Sequence, residues 1–146
     1  MIKAKKKYGQ NFLIDKGVIN KITEAINPNN TEKILEIGPG LGALTIQILK
    51  KIDHIDVVEI DADMIKVLQE KIPPSDITIF SSNILDISND TIAKYDKVIG
   101  NLPYYISSEI LLKMTKTINN QKDLHFMLQK EVAERISSPT HSKSYG

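Results

Sequence analysis

The stretch Leu35-Glu36-Ile37-Gly38-Pro39-Gly40-Leu41-Gly42 decides the interpretation of the fold. An apolar run from Lys33 to Ile37 leads into the glycines, and a short apolar run that ends at Gly and Pro is typical of a buried strand. Apolar residues at helical spacing come after the turn, namely Leu41, Leu44 and Ile48, with Thr45 among them. The stretch therefore predicts a strand, a tight turn and a helix, in that order.

Further strands and helices alternate along the rest of the chain. Apolar runs predict strands over residues 55–60, 77–80, 97–100 and 124–129. Apolar residues at helical spacing predict helices over residues 15–26, 64–72 and 110–118. Strands and helices that alternate at short intervals indicate a mostly parallel sheet with helices on both faces. The sequence thus predicts an α/β fold.

Composition excludes several classes of protein and site. The 146 residues contain no cysteine, so disulfides, thiolate metal sites and cysteine nucleophiles are ruled out. The three histidines are scattered without ligand spacing, and we expect no metal site. No apolar run approaches the ~18 residues of a membrane helix, and no apolar stretch directly follows the basic N-terminus as it would in a secretory signal. We therefore expect a cytoplasmic protein without a membrane partner.

The distribution of charge leaves two interpretations of the N-terminal lysines open. The net charge of +1 does not indicate a nucleic-acid-binding protein, but five lysines crowd the first sixteen residues. Such a cluster is typical of a solvated tail. It also fits the edge of a surface that contacts phosphates.

Two acidic positions and the glycines suggest an adenosine-containing cofactor. The glycines let a ligand approach the backbone closely, and Pro39 removes an amide that a pyrophosphate would need, which favours a ligand without phosphates. Glu59 ends the second strand about twenty residues beyond the glycines, where a carboxylate can bind ribose hydroxyls. Asp61 is expected to begin the next helix. After the third strand, Asn83 and Asp86 are both candidates for the adenine edge, and either could instead be an ordinary turn residue.

The loop after the fourth strand, Asn101-Leu102-Pro103-Tyr104, suggests chemistry on an adenine. The exocyclic amine of adenine is a poor nucleophile because its lone pair is delocalised into the ring. The side-chain oxygen of Asn101 and the carbonyl of Leu102 could accept the two amine hydrogens and direct that lone pair at a methyl donor. Pro103 stiffens the loop, and Tyr104 offers a face on which an extruded base can stack.

Together these segments resemble the KsgA family, the dimethyltransferases of adjacent adenines in small-subunit ribosomal RNA. The resemblance covers essentially the whole chain, through the glycine stretch, the Asn101–Tyr104 loop, and the segments 9–13, 58–61 and 128–135. It implies a Rossmann-like fold that binds S-adenosylmethionine. It also implies methyl transfer to N6 of the adenines, ribosomal RNA within a pre-ribosomal particle as the partner, and a full-length monomer.

The resemblance also assigns residues. It implies that Asn11 and Leu13 contact the cofactor from an N-terminal arm over residues 1–14, that Gly38 and Gly40 lie near its methionine end, and that Glu59 binds the ribose. The candidate site residues are therefore the catalytic set Asn101, Leu102, Pro103 and Tyr104, and the cofactor set Asn11, Leu13, Gly38, Gly40, Glu59, Asn83 and Asn101. One departure is Asn83, since the family usually has Asp there.

Two alternatives stay open from the sequence. One is a related methyltransferase of large-subunit RNA that confers antibiotic resistance, although Gly9 and Leu102 favour the small-subunit group. The other is a non-catalytic RNA-binding assembly or transcription factor on the same fold, which the intact Asn101–Tyr104 loop disfavours. The family also continues beyond residue 146 with further strands and a helical domain. We therefore expect residues 1–146 to be a partial methyltransferase domain that does not methylate RNA by itself.

Overall fold

Five strands form one sheet in the part of the chain that the computed structural model describes, which is residues 15–102, 105–117, 123–128 and 130–137. The strands are β1 (Ile34–Ile37), β2 (Ile55–Glu59), β3 (Ile77–Ser81), β4 (Lys97–Asn101) and β5 (Asp123–Met127). Their order across the sheet is β3-β2-β1-β4-β5, and every neighbouring pair is parallel. The chain therefore proceeds from the central strand outward on one side and then crosses to the other. In such open sheets, ligands bind where the strand order reverses, outside the carboxyl ends of the strands.

Helices connect the strands and have recognisable ends. They are α1 (Lys16–Ile26), α2 (Ala43–Leu49), α3 (Ala62–Lys71), α4 (Asn89–Ile92), α5 (Ser107–Thr115) and α6 (Lys130–Ser137), with a short 3-10 helix at Ile84–Asp86. Asp15 caps α1, because its Oδ1 accepts hydrogen bonds from the first free amides of the helix. Asp61 caps α3 in the same way, as the sequence predicted.

The helices cover both faces of the sheet, and each face has its own core. On one face, buried residues of α1, α2 and α3 pack against β1 and β2, for example Ile26, Ile48 and Leu68. On the other face, the 3-10 helix, α4 and α5 contribute Ile84, Ile92 and Ile110. Apolar side chains on both sides of a strand explain why the strands are continuous apolar runs in the sequence. The predicted α/β fold is confirmed.

The predicted strand limits differ slightly from the observed ones. Lys33 and Ile60 lie just outside β1 and β2, whereas Ser81 and Asn101 extend β3 and β4. The 3-10 helix and α4 were not predicted from spacing, because three or four residues are too few to establish a helical period. Among the described residues, no helix is both long enough and apolar enough to cross a bilayer.

Lys97, at the start of β4, connects that strand to the end of α1. Its side chain is buried, and its Nζ donates hydrogen bonds to the carbonyls of Ile26 and Asn27. The same ammonium lies 3.0 Å from a carboxylate oxygen of Glu32. Because the last carbonyls of a helix lack partners within the helix, a buried cation there donates hydrogen bonds to them and interacts favourably with the negative end of the helix dipole.

Candidate functional site

The turn between β1 and α2 contains glycines in a left-handed conformation. Gly38 and Gly40 have φ angles of 64° and 57°, which residues with a Cβ adopt only with strain. The Gly38 amide donates to the Val58 carbonyl of β2 at 2.9 Å. The turn therefore bends sharply over the carboxyl end of the sheet, and its backbone is tied to the neighbouring strand.

Glu59 ends β2 beside this turn, and its carboxylate is held by three backbone amides. Oε1 accepts from the Gly40 amide at 3.2 Å, whereas Oε2 accepts from the amides of Ile60 and Asp61 at 2.9 and 3.0 Å. Burial raises the pKa of Glu59, and the amides oppose that rise by stabilising the charged form. A carboxylate has about four acceptor positions, and three are filled, so one on Oε1 has no partner among the residues that the structure describes.

Glu36 is a second buried carboxylate, and sequence reasoning gave it no role. It lies in β1, is 2% exposed, and accepts a hydrogen bond from the Thr45 hydroxyl of α2. Burial raises its pKa to about 7, and the nearby charge of Glu59 contributes to the rise. The feature in the sequence that could have revealed it is an acidic residue between two apolar residues of a strand with both faces covered.

Asn83 follows β3 and lies at the same end of the sheet. The preceding residue, Ser82, donates its amide to the Glu59 carbonyl at 3.1 Å, which brings this loop to the end of β2. The side-chain oxygen of Asn83 accepts from the Leu85 amide at 3.0 Å and caps the 3-10 helix. By these contacts Asn83 is a turn residue that caps the 3-10 helix. Asp86 is exposed and lies at the far end of that short helix.

Asn101 ends β4 on the other side of β1. Its neighbour Gly100 pairs with Ile37, so Asn101 lies at the level where the glycine turn begins. Leu102 is 5% exposed, and its amide donates to the Met127 carbonyl of β5 at 3.1 Å, which fixes the start of the loop. The remaining predicted residues, Asn11, Leu13, Pro103 and Tyr104, lie outside the described residues.

The described candidate residues therefore meet at one edge of the sheet. They follow four strands that are neighbours in space, with Asn83 after β3, Glu59 on β2, the glycines after β1 and Asn101 on β4. Within the described residues, no group of three or more histidines or carboxylates could hold a metal ion. The arrangement provides carboxylate, amide and backbone groups suited to a polar ligand lying across the strand ends.

Comparison with known sequences identifies one family. The model of the family described as "Ribosomal RNA adenine dimethylase" matches residues 1–146. Ribosomal RNA small subunit methyltransferase A of Methylobacillus flagellatus is 44% identical over 143 residues, which are 98% of this chain and 56% of that protein. The protein of the same name from Mycoplasma capricolum is 44% identical over 149 residues, with 99% and 56% coverage. The chain thus spans little more than half the length of these relatives.

Solved structures agree with the fold. A dimethyladenosine transferase from Plasmodium falciparum superposes with a TM-score of 0.78 at 28% identity, over 93% of this chain and 50% of that one. The 23S rRNA methyltransferase ErmE gives a TM-score of 0.70 at 25% identity, over 86% and 50%. Both likenesses extend over most of the chain.

Proposed function

Because the chain belongs to the ribosomal RNA adenine dimethylase family, we propose that it forms the cofactor-binding part of an S-adenosylmethionine-dependent dimethyltransferase of small-subunit ribosomal RNA. The observation that carries this proposal is the 44% identity to small-subunit methyltransferases over 98% of the chain. In this proposal, the full-length protein methylates N6 of adjacent adenines as a monomer acting on a pre-ribosomal particle in the cytoplasm.

The geometry of the strand ends supports the proposed cofactor. S-adenosylmethionine has no phosphate, and the turn lacks an amide at Pro39 and commits the Gly40 amide to Glu59. The free acceptor position on Oε1 of Glu59 suits one ribose hydroxyl. The second hydroxyl can bind if it replaces the Gly40 amide, which makes the longest of the three hydrogen bonds to Glu59. Asn83 would then meet the adenine, with its Nδ2 donating to a ring nitrogen or its oxygen accepting from the amine.

The chemistry follows from the residues at the end of β4. When bound, S-adenosylmethionine supplies an electrophilic methyl group on a sulfonium. In the proposal, the Asn101 side chain and the Leu102 carbonyl accept the amine hydrogens, so that the nitrogen lone pair is directed at that methyl group. Tyr104 stacks on the extruded base. Catalysis would consist of orientation and electrostatics, for which a strong base is not needed.

The test is methyl transfer by the full-length protein. It is incubated with radiolabelled cofactor and either unmodified small subunits or large-subunit RNA. We expect label in the small-subunit RNA, located on N6 of adenines, and a loss of at least 100-fold in the Asn101→Ala variant. Label on large-subunit RNA instead would establish the resistance-type activity. RNA binding without label on either substrate would establish an assembly factor and contradict the proposal.

A further inference from the structure

The outer side of α5 is unusual because it exposes two large hydrophobic residues close to the proposed catalytic loop. Tyr105 is 43% exposed and Leu112 is 62% exposed, whereas Ile110 and Met114 on the inner side are at most 1% exposed. Exposed positions recur every three or four residues from the turn through the helix, at Tyr105, Ser108, Glu109, Leu112, Thr115 and Lys116. We call these six residues the α5 outer face.

This face begins where the proposed chemistry takes place. Tyr105 lies in the turn that joins the Asn101 end of β4 to α5, so it is at the carboxyl edge of the sheet. From there α5 leads away from that edge over a length of about 13 Å, which follows from its nine residues. A strand of nucleic acid that enters the site therefore has an aromatic residue beside its entry and an exposed helix beyond it.

The composition of the face fits a nucleic acid better than a protein partner. Its two hydrophobic residues are seven positions apart, and hydroxyl and charged side chains lie between them, so they do not form the continuous apolar patch typical of a protein interface. Beyond Leu112, Lys113 and Lys116 give the far end of the helix positive charge. An aromatic ring for stacking, followed by cations for phosphates, is the combination by which proteins hold single-stranded nucleic acid.

We infer that the α5 outer face binds the RNA strand that flanks the target adenine, with Tyr105 stacked on the neighbouring base and Lys116 close to a phosphate. The inference rests on the proposed function, since it assumes that RNA reaches the Asn101 loop. Extrusion of one base leaves a face of its neighbour unstacked, and an aromatic ring at that place compensates for the lost stacking. Glu109 lies on the same face, so the phosphates must pass on the lysine side of the helix.

The first experiment separates stacking from hydrophobic packing in the full-length protein. Tyr105→Leu keeps an apolar side chain without a ring, whereas Tyr105→Phe and Tyr105→Trp keep the ring. We expect the KM for unmodified small subunits to rise about tenfold in Tyr105→Leu and to stay within about twofold in the two aromatic variants. The dissociation constant of S-adenosylmethionine, measured by calorimetry, should not change in any of them.

The second experiment tests the phosphate contact with a matched control. Lys116→Gln should reduce the slope of log affinity for the RNA against log salt concentration by about 0.7, the value for one phosphate contact on a single strand. Lys51→Gln removes an exposed lysine beyond α2, on the opposite face of the sheet, and should leave the slope unchanged.

Three results would overturn the inference. The first is an unchanged KM in Tyr105→Leu, and the second is a KM that rises as much in Tyr105→Phe as in Tyr105→Leu. The third is a lower melting temperature of Tyr105→Leu with unchanged RNA binding, which would show that the Tyr105 side chain packs against the protein itself. RNA binding is also measured directly by filter retention, which distinguishes failure of this inference from failure of the proposed methyl transfer. If the wild-type protein transfers no methyl group but binds the RNA in a Tyr105-dependent way, the proposed function fails, and only the RNA-binding part of the inference is supported.

Discussion

Gly100 of β4 lies directly against the backbone of Ile37 in β1, because a Cβ added at Gly100 would come within 2.4 Å of the Ile37 carbonyl oxygen. The contact joins the strand that ends in Asn101 to the strand that leads into the glycine turn. The two halves of the proposed site are therefore held together by a position that has no room for a side chain.

We expect Gly100→Ala to destabilise the protein by about 1–3 kcal/mol or more, since backbone atoms must move to admit the methyl group. Gly17→Ala is the control, because among the described residues its Cβ would meet only a side-chain oxygen, that of the α1 cap Asp15, at 3.3 Å, and no backbone atom. That variant should change stability by less than about 1 kcal/mol, since alanine favours the helix. Urea denaturation of both variants measures the difference. Equal urea midpoints for the two variants would show that the sheet admits the methyl group without loss of stability.

A second prediction concerns the pH dependence of stability. Burial raises the pKa of Glu36 from its ordinary value of 4.5 to about 7, so the folded state binds the proton more tightly. Its contribution to the free energy of unfolding is therefore full below about pH 4.5 and falls as pH rises through 7. Glu36→Gln keeps an acceptor for Thr45 and has no charge. It should be more stable than wild type at pH 8, by at most about 3 kcal/mol. The advantage should shrink towards pH 5. The free energy of unfolding of both proteins is measured as a function of pH, and a difference that stays constant with pH would contradict the buried charge.

Glu59→Ala should weaken S-adenosylmethionine binding by about 1.5–3 kcal/mol, which is usual for a hydrogen bond to a charged group. Calorimetry on the full-length enzyme gives the dissociation constant. Glu70→Ala removes an exposed carboxylate from α3 and serves as the control, with no expected change. An unaltered affinity in Glu59→Ala would exclude this residue from the ribose site.

Asn83 and Asp86 can be separated by the same titration. Asn83 adjoins Ser82, which is bonded to the end of β2, whereas Asp86 is three residues further on. Asn83→Ala should therefore weaken cofactor binding more than Asp86→Ala does. The opposite order would assign the adenine contact to Asp86.

Lys97→Met should destabilise the protein by about 3 kcal/mol, because it leaves Glu32 and two helix carbonyls without their cation. Lys97→Arg retains the charge, and this variant should lose less stability if the guanidinium fits the same space. Thermal unfolding of the two variants compares them. If methionine proved as stable as lysine, packing rather than charge would join α1 to β4.

The sequence was most informative where structure depends on neighbouring residues. The apolar run before Gly38 and the acid after Val58 placed the turn and Glu59 at the edge where they are found. Asp61 was expected at a helix start and caps α3. These features depend on local rules of strands, turns and caps, which a single sequence contains.

The sequence could not show contacts between distant segments. Lys97 was only the first residue of a predicted strand, yet it satisfies the end of α1. Gly100 was only the last residue of the same predicted strand, and its close approach to Ile37 depends on strand pairing. The pKa of Glu36 likewise depends on the helix packed over β1. Each depends on which strands pair and which helix packs over them, and a continuous apolar run without alternation does not specify this.

The position of β1 at the centre of the sheet has a consequence for how such proteins diversify. Of the described residues in the proposed cofactor site, Gly38, Gly40, Glu59 and Asn83 precede α4 in the chain, whereas Asn101 and the α5 outer face come after it. The two groups meet in space but occupy separate stretches of the gene. Substitution of exposed residues on the α5 outer face can therefore change the proposed RNA contacts while the cofactor residues before α4 stay the same. Under the proposed function, one set of cofactor residues can thus be combined with different RNA contacts.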